Sequence, residues 1–197
     1  SAIVRELARR PASADFCFTL PTRREAGAKH LTVLPTARVL QCDVHDPATL
    51  ARLMTGQDAV ISLVGILKGG EGEPYGKGFA RAHVELPRKI AAAARAAGVR
   101  RVLHVSALKA AVDAPSGYLR SKADGEAALR DAGLDLTIFR PSVIFGRGDS
   151  FLTLFARMAK IAPFFPLAGA DARFQPVWVE DVAATVADSL LRADSIG

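Results

Sequence analysis

The 197-residue chain is poor in cysteine, with two such residues, Cys17 and Cys42. Both stand in apolar, strand-like runs, where a cysteine usually behaves as a small buried hydrophobe. This low content excludes a disulfide-stapled scaffold and is typical of a protein that works in a reducing compartment.

Long hydrophobic runs are also absent. No apolar stretch approaches the roughly 18 residues that cross a bilayer. The first ten residues predict an amphipathic helix interrupted by charge. We therefore expect a soluble, cytoplasmic protein without an export signal.

The basic excess lacks the clustering of a nucleic-acid surface. The formal net charge is +6, from 26 basic and 20 acidic residues. The arginines are nevertheless spread along the chain, with local pairs at Arg9-Arg10, Arg23-Arg24 and Arg100-Arg101 and few aromatic residues between them. This pattern favours solvated helix faces, so we expect no nucleic-acid partner.

Two ligand-binding patterns are missing as well. None of the four histidines has a partner at metal-ligand spacing, which predicts no metal site. The pair Gly76-Lys77 resembles the end of a P-loop, but Glu71 and Gly78 stand where that motif needs a glycine and a Ser or Thr. We interpret the glycine-rich segment 68–78 as a flexible lid or substrate loop.

Short apolar runs that alternate with amphipathic segments are what the sequence does contain. The runs predict buried strands, and the segments between them predict helices, as at Asp46-Pro47, where a cap residue precedes a proline in the first turn. This alternation predicts an α/β fold with a doubly wound parallel sheet in one domain, residues 1–197. The predicted strands are Phe16–Leu20, Arg38–Val44, Ala59–Val64, Val102–Val105 and Leu136–Phe139.

A candidate proton-transfer site follows the fourth of these strands. Ser106 stands at the strand end, and Tyr118 and Lys122 are four residues apart, on one face of the next predicted helix. A tyrosine with a pKa near 10 transfers protons poorly at neutral pH, whereas a nearby cation favours its anionic form. A Tyr-x-x-x-Lys pair alone also fits a surface tyrosine beside a solvated lysine.

Together, these motifs resemble the extended or atypical short-chain dehydrogenase/reductase family, the group of NAD-dependent epimerases and dehydratases. The resemblance is carried by the Ser106, Tyr118 and Lys122 set and by the run 140–146, Arg-Pro-Ser-Val-Ile-Phe-Gly. The runs 63–67, 83–87 and 174–182 are similar to one branch. That branch contains the nicotinamide-nucleotide-binding accessory subunit of respiratory complex I and its bacterial relatives.

The resemblance implies a Rossmann-type dinucleotide-binding fold and catalytic roles for three residues. Tyr118 would exchange a proton with a substrate carbonyl or alcohol, Lys122 would lower the tyrosine pKa and bond the nicotinamide ribose, and Ser106 would hold the substrate oxygen. His83 occupies a position where relatives often have asparagine, and a satisfied helix histidine is the favoured interpretation.

The resemblance also implies a set of cofactor contacts. Arg23 and Arg24 follow the strand that meets the adenosine ribose, and arginine there suits the 2′-phosphate of NADP rather than the hydroxyl of NAD. The alternative is a pair of solvated arginines. Asp43 is either an adenine contact or a helix cap. The full set of expected contacts is Arg23, Arg24, Asp43, Val44, Val64, Gly65, Lys122, Pro141, Ser142 and Val143.

Two features depart from the family pattern. The first strand and the glycine-rich turn that would cradle the pyrophosphate are missing, since the chain opens in what resembles the helix after that turn. Most of the C-terminal substrate lobe is missing as well. We therefore expect a fragment whose parent sequence has glycines immediately upstream.

Two functions remain open at this point. The first is an NADP(H)-dependent oxidoreductase, or an epimerase or dehydratase with the same apparatus, that acts on an unidentified small molecule through Tyr118. The second is a non-catalytic NADPH-binding subunit, redox sensor or assembly factor of a membrane-associated respiratory complex, located at the inner face of the membrane.

Overall fold

The computed structural model describes residues 2–10, 16–146, 149, 160 and 173–197. Strands and helices alternate along most of this part of the chain, with three short 3-10 turns at 25–27, 29–31 and 193–195. The strands are β1 (Phe18–Thr22), β2 (Ala37–Gln41), β3 (Ala59–Ser62), β4 (Arg101–Val105), β5 (Asp135–Phe139), β6 (Ile144–Phe145) and β7 (Val177–Trp178). The helices are α1 (Ala2–Ala8), α2 (Pro47–Met54), α3 (Lys77–Phe79), α4 (Leu86–Ala96), α5 (Gly117–Arg130) and α6 (Val179–Leu191).

All strand pairs are parallel. Strand β1 pairs with β2, β4 lies between β3 and β5, and β6 pairs with β7. Because the strands of each sheet run in the same direction, the segments after neighbouring strands leave from a common edge. The predicted α/β fold with parallel sheets is confirmed.

Helices cover both faces of the central sheet. On one face, Leu103 of β4 packs with Leu7 of α1 and Val186 of α6. On the other face, Val102 packs with Ala94 of α4 and Leu129 of α5. Successive residues of a strand point to opposite faces, so two adjacent apolar residues of β4 anchor the two layers. This is the doubly wound arrangement that the buried strand pattern predicts.

The sheet is divided between β1 and β3. These two strands are not paired with each other, and Thr19, Pro21 and the residues of β3 line a largely apolar cavity of about 150 Å³. Helices α2 and α4 contribute Leu50 and Ile90 to the same cavity. Within the described ranges, β1 is the first strand and follows α1.

Helix α2 matches its sequence signals closely. The side chain of Asp46 accepts a hydrogen bond from the amide of Thr49 at 2.9 Å, and Pro47 occupies the first turn. Gly56, with φ +71°, follows the last turn in the left-handed region that favours glycine. Asp46, and not Asp43, is therefore the residue that caps α2.

The helical region between β3 and β4 contains a π-helical segment. Helix α3 leads into π-helix at Ala80–Glu85 and then into α4. The wider π turn brings the His83 carbonyl oxygen against Gly125 of α5, so that a Cβ added to Gly125 would lie far inside contact distance of that oxygen. A glycine at this point therefore permits the close approach of the two helices.

A buried ion pair attaches α5 to the end of β5. Glu126 is fully buried, and its carboxylate accepts hydrogen bonds from Arg140 Nε at 2.9 Å and Nη2 at 2.6 Å. Arg130 adds a second salt bridge at 3.1 Å. Burial alone would raise the pKa of Glu126, but the hydrogen bonds and charges of the arginines outweigh it and lower that pKa.

The two cysteines differ from the expectation. Cys17 lies just before β1 and is exposed, whereas Cys42 follows β2 and is half-buried. The observed strands β1 and β2 have different bounds from the predicted ones. Cys17 and Cys42 therefore lie outside the residues that pair between these two strands. In the part of the chain that the structure describes, no helix combines the length and apolarity needed to span a membrane.

Replacement of Gly125 by alanine tests the close approach of the two helices. Alanine favours a helix interior over glycine by about 1 kcal/mol, yet we expect Gly125→Ala to lower the free energy of unfolding by about 1–3 kcal/mol, because the methyl group meets the His83 carbonyl. Urea denaturation measures the change. In the control Gly27→Ala the added methyl meets no atom within 4 Å, so a change within about 0.5 kcal/mol is expected. A stabilised Gly125→Ala variant would contradict the packing.

The Glu126–Arg140 pair should respond unequally to loss of either partner. Arg140→Met removes both hydrogen bonds that this arginine donates to the buried carboxylate and leaves the salt bridge to Arg130, and we expect a loss of about 3 kcal/mol. Glu126→Gln is neutral, and the half-exposed Arg140 can turn to water, so about 1–2 kcal/mol is expected. Equal losses in urea denaturation would contradict this asymmetry.

The same carboxylate gives an acid dependence of stability. Because the folded-state pKa of Glu126 is lowered, its contribution is present above the unfolded-state pKa and is lost as the pH falls through the folded-state pKa. Below about pH 4.5, the free energy of unfolding of Glu126→Gln should therefore fall less steeply than that of the native sequence. Parallel pH curves would show that Glu126 is not responsible.

Candidate functional site

The candidate site lies where the segments after β3, β4 and β5 leave the sheet. The amide of Ser106 donates to the carbonyl of Phe139 at 2.7 Å, and the amide of Leu108 donates to Pro141 at 2.8 Å. The segment after β4 is thus joined to the segment after β5. These backbone bonds bring Ser106 and the run 141–143 to the same edge.

Tyr118 lies in the first turn of α5. The side chain of Ser116 caps this helix by accepting a hydrogen bond from the amide of Leu119 at 3.3 Å. The Tyr118 ring is half-buried and stands edge-on to two rings of the α3 and π-helical segment, with centroid distances of 6.0 Å to Phe79 and 5.4 Å to His83. The phenol is therefore held by aromatic packing from the neighbouring helix.

The pKa of Tyr118 is shifted in the direction opposite to the expected one. Burial raises the pKa of the phenol, which is opposite to the lowering expected from a neighbouring ammonium. A tyrosine with a raised pKa is protonated at neutral pH. The phenol therefore carries its proton at neutral pH, as an unperturbed tyrosine does, and burial makes it a weaker acid.

Lys122 is directed into the protein. It is 3% exposed, and its ammonium donates a hydrogen bond to the carbonyl of Val105 at 2.8 Å. Burial lowers the pKa of Lys122 to about 8, although the Glu126 carboxylate one turn further along α5 opposes this shift. The side chain consequently remains mainly cationic at neutral pH and lies beside the end of β4.

Ser106 directly follows Val105, whose carbonyl Lys122 bonds, but it is sealed from the solvent. The residue is 5% exposed, and among the described residues its buried hydroxyl oxygen has no partner that meets the usual hydrogen-bond geometry. It lies near enough to Glu126 to help lower the pKa of that carboxylate. The hydroxyl is therefore directed towards α5 and away from the surface where a substrate could reach it.

His83 bridges two parts of the site. Its Nε2 accepts a hydrogen bond from the amide of Ile66 at 3.0 Å, and its Nδ1 lies 2.9 Å from the hydroxyl of Ser121. Ile66 belongs to the segment after β3, whereas Ser121 belongs to α5. The expectation of a satisfied helix histidine is consistent with these bonds, but no pattern in the sequence indicates the link between the two segments.

The residues expected at the adenosine end lie beside β1 and β2. Arg23 and Arg24 follow β1 and are both exposed, and among the described residues neither side chain has an ion-pair partner. Asp43 follows β2, where its carboxylate accepts from the amide of His45 at 2.9 Å and lies 3.7 Å from Arg81. Since β1 and β2 pair in register to their ends, these two segments are neighbours.

The remaining expected contacts follow the other strands. Val64 is exposed after β3, and Gly65 has open space where a side chain would be, with only His83 Nε2 within 4 Å of an added Cβ. Half-buried Ser142 and Val143 follow β5, and Val44 lines the cavity beside β3. An exposed, side-chain-free backbone at Gly65 suits the close approach of a nucleotide.

The glycine-rich segment is fastened to α5, which argues against a flexible lid. The hydroxyl of Tyr75 donates to Asp124 at 2.7 Å, and Arg120 donates to the carbonyl of Pro74 at 2.8 Å. Burial and the hydrogen bond to Asp124 raise the pKa of Tyr75 to about 12. A Cβ added to Gly69 would collide with the Phe79 ring. The glycines here serve close packing.

Metal chemistry has no evident place in the described part of the chain, where no three His, Cys, Asp or Glu residues are grouped to hold an ion. The arrangement instead fits part of a dinucleotide. The exposed arginines could bind a phosphate, and the open backbone at Gly65, near His83, could accept a flat ligand. The segment that would cradle the diphosphate is not among the described residues.

Comparison with known proteins agrees with this geometry. A family model described as NAD(P)H-binding matches residues 1–164. The mitochondrial NADH dehydrogenase (ubiquinone) 1 alpha subcomplex subunit 9 of Rattus norvegicus is 37% identical over 160 residues, which are 80% of this chain and 41% of that protein. A ceramide reductase of Caulobacter vibrioides is 36% identical over 146 residues, 74% of this chain and 44% of that protein. The chain thus spans less than half the length of these relatives.

The fold agrees with a solved structure. The dTDP-glucose 4,6-dehydratase of Streptomyces venezuelae, determined with NAD bound, superposes with a TM-score of 0.81 at 23% identity and covers 97% of this chain and 68% of its own. This similarity supports the Rossmann-type architecture of the parallel sheet. The chain belongs to the NAD(P)H-binding family and has the fold of the short-chain dehydrogenases/reductases.

Proposed function

We propose that this chain is the NADP(H)-binding part of an oxidoreductase of the short-chain dehydrogenase/reductase type that reduces a carbonyl group. The observation that carries the proposal is the placement of two residues: the half-buried ring of Tyr118 packs edge-on against His83, which bonds the segment after β3, and Lys122, one turn later, bonds the end of β4. The family match supports the cofactor class. An epimerase or dehydratase would use the same groups and is the alternative within this class.

In this proposal the bound cofactor supplies the hydride. Tyr118 donates its proton to the oxygen of the substrate carbonyl as negative charge develops there. Lys122, which is cationic at neutral pH, stabilises the resulting phenolate and can exchange its bond to the Val105 carbonyl for one to the cofactor ribose. The buried Ser106 hydroxyl would need to rotate before it could bond a substrate.

The NADP preference is proposed from charge and exposure. The exposed Arg23 and Arg24, without ion-pair partners in the described part of the chain, are available to a 2′-phosphate beside the end of β1. Asp43 is already near Arg81 and His45, so its carboxylate is less available to a ribose hydroxyl. The proposed nucleotide contacts are completed by the backbone at Val44, Val64, Gly65, Pro141, Ser142 and Val143.

A second function is favoured by a different observation. The Ser106 hydroxyl is sealed and Lys122 bonds a backbone carbonyl, so two of the three expected catalytic groups are turned away from a substrate. Together with the sequence identity to a subunit named for NADH dehydrogenase, this supports a non-catalytic NADPH-binding subunit peripheral to a membrane-associated respiratory complex.

For the catalytic function, lipid carbonyls are the first substrates to test, because one relative is named a ceramide reductase.

The Tyr118→Phe variant discriminates between the two functions. In the full-length protein with NADPH and a panel of lipid and quinone carbonyls, we expect it to lose at least about 100-fold in turnover, because the proton donor is removed, while NADPH affinity is retained. The control is Tyr75→Phe, which removes the other tyrosine hydroxyl, bonded to Asp124, and should leave turnover near normal. Equal turnover in Tyr118→Phe and the native protein would refute the catalytic role.

Arg23→Ala and Arg24→Ala test the cofactor preference. Each charge-assisted hydrogen bond to the phosphate contributes about 1.5–3 kcal/mol, so we expect NADPH affinity to fall about 10- to 100-fold, with NADH affinity unchanged. Calorimetric titration measures both. Arg38→Ala removes an equal charge at the amino end of β2 and serves as the control. A native preference for NADH, or unchanged NADPH affinity in both variants, would overturn the assignment.

A further inference from the structure

The His83 imidazole lies at the junction of the two segments that would meet the nicotinamide end of the cofactor and the substrate. It is 1% exposed on the π-helical segment. On one side is the amide of Ile66, directly after Gly65, and on the other is Ser121, in the first turn after Tyr118. Both ring nitrogens are within hydrogen-bond distance of a partner, and the two partners belong to different segments of the site.

The partners determine which nitrogen carries the proton. A peptide N–H can only donate, so His83 Nε2 must be the acceptor from Ile66. In the neutral ring the proton is then on Nδ1, which donates to the hydroxyl of Ser121. That hydroxyl donates its own proton to the carbonyl of Tyr118 at 2.7 Å. In this series of three hydrogen bonds, which runs from the Ile66 amide to the Tyr118 carbonyl, each donor therefore has one acceptor.

The surroundings keep the ring in this state. Burial, with the nearby Lys122 ammonium, lowers the pKa of His83 to about 4, so the imidazole is neutral at neutral pH. Phe79 stacks on the ring at a centroid distance of 5.4 Å, and the Tyr118 ring meets it edge-on. The His83 carbonyl is also fixed against Gly125. Neither the ring nor its backbone can move independently of α5.

We infer that His83 is a positioning residue that ties the segment after β3 to the first turn of α5 through Ile66 and Ser121. This role rests on the proposed function, in which Gly65 approaches the cofactor and Tyr118 donates the proton. The Ile66 bond fixes the backbone beside the cofactor. The Ser121 bond, with the ring contact, fixes the direction of the Tyr118 phenol. One imidazole thus sets the distance between the two reacting partners.

Side chains that imitate one ring nitrogen at a time can separate the two bonds. The glutamine of His83→Gln places its amide near Nε2 and can still accept from Ile66, whereas the asparagine of His83→Asn places its amide near Nδ1 and can still donate to Ser121. His83→Phe keeps the ring contacts and loses both hydrogen bonds. Phe79→Leu is the matched control, because it removes the stacking partner and leaves both bonds in place.

The deciding measurements are made in the full-length protein and do not require turnover. We expect the ¹⁵N resonances of His83 to show a protonated Nδ1 and an unprotonated Nε2. Exchange of the Ile66 amide should accelerate about tenfold in His83→Phe and His83→Asn, as expected for one lost buried hydrogen bond, and stay near normal in His83→Gln and Phe79→Leu. NADPH affinity should follow the same order. The Tyr118 ring resonances should move in His83→Phe, His83→Gln and Ser121→Ala, and less in His83→Asn.

Three results would overturn the inference. The first is a protonated Nε2, and the second is an exchange rate of the Ile66 amide that is unchanged in His83→Phe. The third is that NADPH affinity and amide exchange change only in proportion to global stability in the three His83 variants and in Phe79→Leu. These results are distinct from failure of the proposed function. A native protein that reduces no carbonyl would refute catalysis, while the imidazole resonances, the Ile66 exchange and the NADPH affinity would still report on His83.

Discussion

The buried carboxylate of Glu126 constrains the whole candidate site. An ionised carboxylate that is excluded from water needs an opposite charge and hydrogen-bond donors beside it. Arg140, which directly follows β5, provides both. Helix α5 can therefore neither slide nor turn on the sheet without separating the two charges. Lys122 and Tyr118 lie one and two turns earlier on the same face, so their positions follow from this anchor.

The anchor also affects the electrostatics around Lys122. A nearly buried ammonium loses hydration, and its pKa falls to about 8, while Glu126 limits that fall. The ammonium lies next to the end of β4 as a cation without its own exposed surface. Burial raises the pKa of the Tyr118 phenol, which is protonated at neutral pH. The site thus holds a neutral phenol and a buried cation on consecutive turns of one helix.

Features that depend on local sequence were predictable. The cap at Asp46, the proline after it and Gly56 at the end define α2 through interactions within a few residues, and its observed bounds agree with them. The buried apolar runs predict the parallel sheet, although β1 lies two residues later than predicted and β2 ends three residues earlier, because an apolar run does not define where a strand ends. The family pattern located Tyr118 and Lys122.

Features that depend on distant contacts were not predictable. The π-helical segment and the His83 link arise from the approach of Gly125 and from Ile66, which are far away in the sequence. The glycine-rich segment has the composition of a mobile loop, but Tyr75 fastens it to α5. The inward direction of the Ser106 hydroxyl depends on rotation about one side-chain bond, and a strand-end position does not determine that angle. One feature of the Glu126 anchor is visible in the sequence, because Lys122 and Glu126 stand four residues apart and so share one face of the helix.

The spacing of functional groups along α5 also limits how this region can change in length. Tyr118, Lys122 and Glu126 are each one helical turn apart, and the structure uses all three. One residue inserted between Tyr118 and Glu126 would leave the carboxylate on Arg140 but rotate the phenol by about 100° around the helix axis. Related sequences should therefore differ here by substitution, whereas insertions and deletions should be confined to the turns before Ser116 and after Arg130.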